Sequence, residues 1–87
     1  MTSPTGAPGR LLVVATPIGN LEDLSPRALA SLRDASLVLC EDTRRTGNLF
    51  SRYGLSTPRV SCHEHNEFRR IPEVLERLAA GETLALV

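Results

Sequence analysis

Apolar residues along this chain come in two rhythms, short continuous runs and helical stripes, and their alternation lays out a β-α-β-α-β-α-β order. Residues 11–16 form an apolar run that stops at Thr16-Pro17 and is followed at once by Gly19-Asn20, which predicts a first strand buried on both faces and then a tight loop. Leu24-Ser25-Pro26 starts a helix that runs to about Asp34, with Ser25 as N-cap, Pro26 at the first helical position and Leu24 stapled onto Leu29. Its inner stripe is Ala28, Leu29, Leu32 and Ala35, while Arg27, Ser31 and Asp34 face water. Leu37-Val38-Leu39-Cys40 is a second buried strand with an acidic exit. The next helix starts at Thr43 or Thr46, turns Leu49, Phe50 and Tyr53 inward, and stops at a left-handed Gly54 with Leu55 packing back on the last turn. Gly47 inside it costs about 1 kcal/mol relative to alanine. Residues 58–62 form a third strand, and Asn66 caps a third helix in which Ile71, Val74, Leu75, Leu78 and Ala79 recur at amphipathic spacing. Pro72 belongs in or near its first turn and Gly81 at its stop, and residues 83–87 open a fourth apolar strand.

Alternating strands and helices with short connections predict an α/β domain built on a mostly parallel sheet with right-handed crossovers. The sequence runs out inside the fourth strand, where burial would leave backbone groups unpaired, so the expectation is a truncated piece of a longer protein. Residues 1–9, rich in Pro, Gly, Ser and Thr, are expected to be a flexible tail, and residues 10–87 an N-terminal α/β domain without its C-terminal companion.

Composition narrows the chemistry. A chain of 87 residues buries only about 60–65% of its unfolded surface, which leaves it marginal without a partner. Phe50, Tyr53 and Phe68 are the only aromatic residues, so the core must be aliphatic. Ten acidic residues balance ten arginines with no lysine, which excludes bulk attraction to nucleic acid or to an anionic membrane and leaves only local clustering. Cys40 and Cys62 are too few for a disulfide scaffold and fit reduced thiols in a cytoplasmic protein. No basic start with an apolar block and no run of about 20 apolar residues points to secretion or a membrane partner.

Parallel strands place their carboxyl ends on one sheet edge, so the exits at Thr16, Glu41 and His63 are expected to converge there. Gly19 permits close backbone approach to a ligand, but a single glycine lacks the spacing of a dinucleotide fingerprint and equally suits a plain strand-to-helix turn. Glu41 and Asp42 offer a ribose contact, a proton acceptor or a helix cap. His63, Glu64 and His65 invite a metal reading, yet two histidines without a clear third ligand fit a zinc site poorly; no metal is expected, and hydrogen bonding or proton transfer is preferred. Arg44, Arg45, Arg69 and Arg70 gather near the same edge, either to hold phosphate or as solvated, carboxylate-paired side chains.

Three blocks carry a resemblance: Val14-Ala15-Thr16-Pro17-Ile18-Gly19-Asn20-Leu21, Cys40-Glu41-Asp42-Thr43-Arg44 and His63-Glu64-His65-Asn66-Glu67. In this order and spacing they resemble the N-terminal domain of the bacterial small-subunit ribosomal RNA (cytidine-2′-O)-methyltransferases, a branch of the tetrapyrrole methylase superfamily, over residues 10–87. The resemblance implies the N-terminal half of a two-domain enzyme that binds S-adenosylmethionine between its domains, acts on ribosomal RNA and forms a homodimer. It places Thr16, Pro17, Ile18, Gly19 and Asn20 in the cofactor cleft, although the Gly-Pro-Gly-Asp form of that loop found elsewhere in the superfamily is not present. Methyl transfer to a ribose oxygen needs alignment and removal of a proton, for which Glu41, Asp42, His63, Glu64 and His65 are the candidate bases. Arg44, Arg45, Arg69 and Arg70 are the candidates for RNA phosphates. The competing readings are a small-molecule tetrapyrrole methylase and a non-catalytic dimerisation or RNA-binding module. With half of the cleft missing, the fragment itself is expected to be inactive.

Overall fold

All four residues of the strand Leu37–Cys40 (β2) are buried, because it has strand neighbours on both sides and helices over both faces. The computed structural model describes residues 9–16 and 23–87. Within them β1 (Arg10–Val13), α1 (Pro26–Asp34), β2, α2 (Thr43–Tyr53), β3 (Arg59–Ser61), α3 (Glu67–Ala79) and β4 (Thr83–Leu86) follow one another. The strands lie in the order β1-β4-β2-β3, and every pairing is parallel. The expected α/β class and element order are therefore those of the molecule. The first-loop residues Pro17, Ile18, Gly19 and Asn20, and positions 1–8, lie outside the described residues.

The sheet separates two apolar layers. On one face Leu32 of α1 and Leu49 and Phe50 of α2 pack with Val38 and Ala85, and Leu12 and Val14 extend this layer toward β1. On the other face Val74 and Leu78 of α3 lie over Leu37, Leu39 and Leu84. Alternation along the strands assigns successive side chains to opposite layers, and a core of Leu, Val and Ala with one buried phenylalanine results.

β1 departs from the expectation of a strand buried on both faces. It is an edge strand, bonded only to β4 among the described residues, and α3 sits over β4 and β2 rather than over it. Leu11 and Val13, which register beside Leu84 and Leu86, are consequently 42% and 81% exposed. The apolar run is the same as that of a central strand; its neighbours decide the burial.

Local sequence sets the helix ends. Ser25 Oγ accepts from the Ala28 N–H at 3.1 Å and Pro26 opens α1. α2 begins at Thr43 with Asp42 of the acidic β2 exit as its N-cap, and Gly54 closes that helix at φ 65° with the Leu55 N–H bonded to the Phe50 carbonyl. Gly47 has a spatial reason: a Cβ there would lie 3.2 Å from Arg59 Nη2, and the Arg59 guanidinium stacks 5.1 Å from the centroid of Phe50.

α3 corrects two expectations. It begins at Glu67, so Pro72 is inside the helix and leaves the Phe68 carbonyl without its usual N–H donor. Of the apolar stripe only Val74 and Leu78 join the core, while Ile71 and Leu75 are 45% and 60% exposed, beside an 80% exposed Phe68. Gly9, grouped by composition with the tail, donates its N–H to the Leu78 carbonyl at 3.0 Å and is packed against that helix end.

Candidate functional site at the carboxyl edge of the sheet

The carboxyl ends of β1, β4 and β2 open into a recess of about 340 Å³ lined by Thr16, Glu41, Asp42, Arg45, Thr46, Leu49 and Val87. Thr16 follows the edge strand, Val87 follows the central β4, and the remaining lining belongs to the exit of β2 and the first turns of α2. Apolar Leu49 and Val87 thus meet two carboxylates, two threonines and a guanidinium. This is the mixture expected where a ligand is part held by packing and part oriented by hydrogen bonds.

The two carboxylates are in different states. Asp42 Oδ1 accepts from the backbone N–H groups of Arg44 at 3.0 Å and Arg45 at 3.2 Å, so one of its oxygens is spent on the helix cap. Glu41 is exposed, and among the described residues no hydrogen bond or ion pair engages it. Behind them Cys40 is fully buried; burial raises its thiol pKa above the ordinary 9.0, against the opposing effects of the Thr46 hydroxyl and the Arg59 guanidinium.

His63 and His65 do not line this recess. β3 is the outer strand, bonded to β2 and three strand spacings or about 14 Å from β1. The exits at Thr16 and Glu41 share a wall, and the β3 exit does not line it. The segment His63-Glu64-His65-Asn66 is a turn rather than an extended strip: the His63 carbonyl accepts from the N–H of Asn66 at 3.0 Å and of Glu67 at 2.9 Å. The two imidazoles meet edge to face with centroids 5.7 Å apart. Glu64 approaches His65 Nε2 at 3.6 Å with both side chains over 80% exposed, a pairing that adds little. Among the described residues no three His, Cys, Asp or Glu side chains are grouped as a metal ion would require.

The arginines divide as well. Arg45 lines the recess and Arg44 is exposed on the first turn of α2. Arg70 is turned inward, its Nε donating to the Ser61 carbonyl at 2.7 Å, whereas Arg69 is exposed. Asn66 occupies the N-cap position of α3 but makes no capping bond; its 5% exposed carboxamide turns back onto the β3 exit. Thr46, Leu49 and Val87 line the recess without having been marked by their residue types. Thr46 reads in sequence as a possible helix start, Leu49 as core and Val87 as strand, and only their shared position around one opening distinguishes them.

A family model described as tetrapyrrole (corrin/porphyrin) methylases matches residues 10–87. The chain is 53% identical over 79 residues to the ribosomal RNA small subunit methyltransferase I of Pseudomonas aeruginosa, with 91% of this chain and 28% of the relative covered. It is 48% identical to the protein of that name from Synechocystis sp., with 91% and 28% covered, and 48% identical to that from Thermotoga maritima, with 91% and 36% covered. The chain therefore spans roughly a third or less of the length of these relatives. Among the described residues no helix is long and apolar enough to cross a membrane.

Proposed function

Because the chain belongs to the tetrapyrrole (corrin/porphyrin) methylase family, we propose that it forms the N-terminal domain of an S-adenosylmethionine-dependent methyltransferase that modifies the ribose 2′-hydroxyl of a cytidine in cytoplasmic small-subunit ribosomal RNA. The observation that carries this reading is the recess at the ends of β1, β4 and β2 in a chain about half identical to proteins named for ribosomal RNA methylation. The greater length of those relatives supports a second domain as the facing wall.

The residues suit the cofactor in kind. Leu49 and Val87 offer apolar contact to an adenine ring, and the carboxylates of Glu41 and Asp42 suit ribose hydroxyls or a neighbouring cation. When bound, S-adenosylmethionine supplies a methyl group on an electron-poor sulfur. Thr16 and Thr46 flank the opening and orient what enters it. Glu41, whose carboxylate is not spent on a cap, takes the proton from the ribose oxygen as the new bond forms. Arg44, Arg45 and Arg69 hold the RNA backbone. The exposed Leu11, Val13, Ile71 and Leu75 support a homodimer or a domain contact over the α3 face.

Nucleoside analysis of small-subunit RNA treated with the full-length protein and S-adenosylmethionine tests the reading. The expected product is 2′-O-methylcytidine; a base-methylated nucleoside, or methylation of a macrocycle alone, overturns it. The family's tetrapyrrole name gives that second substrate class its place in the test.

A further inference from the structure

The turn between β3 and α3 is tied at more points than a connection needs. The His63 N–H donates to Asn66 Oδ1 at 2.8 Å, its carbonyl accepts from two backbone N–H groups, and its ring Nδ1 accepts from the His65 N–H at 3.1 Å. Asn66 in turn donates from Nδ2 to Ser61 Oγ at 2.8 Å, and Arg70 grips the same serine through its carbonyl at 2.7 Å and its hydroxyl at 3.3 Å. The carboxamide has one orientation that satisfies both ends, oxygen toward His63 and nitrogen toward Ser61. The side chains of Ser61, Asn66 and Arg70, from β3, the turn and α3, are thereby joined to the backbone of a single histidine.

The proton on that histidine follows from the geometry. A nitrogen that accepts from a backbone N–H presents its lone pair, so Nδ1 is bare and the neutral ring carries its hydrogen on Nε2. Among the described residues no group accepts from Nε2, and in this state Nε2 has no lone pair with which to act as a base.

We propose that His63 serves as a hydrogen-bond donor, through Nε2–H, to a phosphate oxygen of the RNA strand, and that Asn66 is the positioning residue that holds the ring in this state. The exposed Arg69 adds positive charge in the first turn of α3, the helix that this turn opens. The choice of RNA rests on the function proposed above; the tautomer does not. Deprotonation of the ribose is left to the recess carboxylates.

Two experiments separate these parts. In the 87-residue chain labelled with ¹⁵N, a scalar coupling across the hydrogen bond between the His65 amide nitrogen and His63 Nδ1 is expected, lost in Asn66→Ala while the His65 ring signals hold. Absence of the coupling in the wild type, or its persistence in Asn66→Ala, overturns the positioning role. In the full-length protein, His63→Ala is expected to weaken binding to small-subunit RNA about tenfold, the scale of one hydrogen bond to a charged acceptor. His63→Gln, whose amide places a donor near the Nε2 position, restores most of that loss and His63→Glu does not. Equal losses in the Ala and Gln variants overturn the donor role. A wild type with no affinity for the RNA overturns the ribosomal reading and the phosphate acceptor with it, and the coupling then still decides the role of Asn66.

Discussion

The Thr57 hydroxyl donates to the Leu32 carbonyl at 2.8 Å across twenty-five positions of sequence. Leu32 lies in the last turn of α1, where carbonyls lack helical donors, and Thr57 also reaches the Arg33 carbonyl at 3.2 Å. A threonine with 8% exposure ahead of β3 thus closes the end of a helix it never touches in sequence. Thr57→Val keeps the shape but leaves those carbonyls dry and unpaired, and is expected to cost about 1–3 kcal/mol in urea unfolding. Thr57→Ser keeps the hydroxyl and is expected to recover most of that loss.

Asp42 is read here first as a cap. Asp42→Ala should lower stability by about 1 kcal/mol, with Asp42→Asn nearly neutral, since the amide oxygen accepts the same two N–H groups. Thermal unfolding of the three chains checks this. Glu41→Gln, by contrast, should leave unfolding unchanged and lower kcat of the proposed methyl transfer by the full-length protein about 10²–10⁴-fold, the range of a lost general base.

Such distinctions mark how far the sequence reaches. Element order was legible because apolar runs and helical stripes obey local periodicities, and Ser25, Gly54 and Gly81 are local punctuation. The exposure of Val13 was not, because an edge strand and a central one carry the same side chains until the strand order is known. Likewise the separation of the His63 exit from Thr16 depends on two strands lying between β1 and β3, which no spacing in sequence records. Asn66 invited a capping role by its type and position; the competing donor on His63 and acceptor on Ser61 decided where its amide turned.

The two thiols sit on opposite faces of the sheet, Cys62 in the α3 layer and Cys40, by alternation with Val38, in the other. They cannot form an intramolecular disulfide without unfolding, so an oxidant should leave each chain with no internal bridge by mass. A thiol reagent should label Cys62 promptly and Cys40 only in denaturant. Burial raises the folded pKa of Cys40 above the unfolded 9.0. Its contribution to stability is therefore complete below that pH. It falls as the pH rises toward the folded value, where the unfolded chain has released a proton the folded one still holds. Denaturant midpoints taken across the alkaline range in wild type and Cys40→Ala should converge accordingly.

Gly9 allows no side chain. A Cβ there would lie 2.5 Å from the Glu82 carbonyl oxygen and 2.6 Å from that of Leu78, both backbone atoms that cannot swing aside. Gly9→Ala is expected to destabilise by about 1–3 kcal/mol or more through overpacking. Its mark in hydrogen exchange should be selective, with the Gly9–Leu78 and Arg10–Glu82 contacts opening first.

The strand order carries a consequence for how the chain comes to be folded at all. β4, the last of the described strands, occupies the interior between β1 and β2, pairing Arg10 with Thr83 and Leu37 with Leu84. During synthesis β2 and β3 can pair early, across α2 alone, but β1 must wait until Thr83–Leu86 has been made for its neighbour. The slow event is thus a long loop closure in which one arriving strand joins two waiting ones, and its entropy is spent before most of the core exists. A chain released before Thr83 would present β2 and β1 as open edges to any other chain nearby.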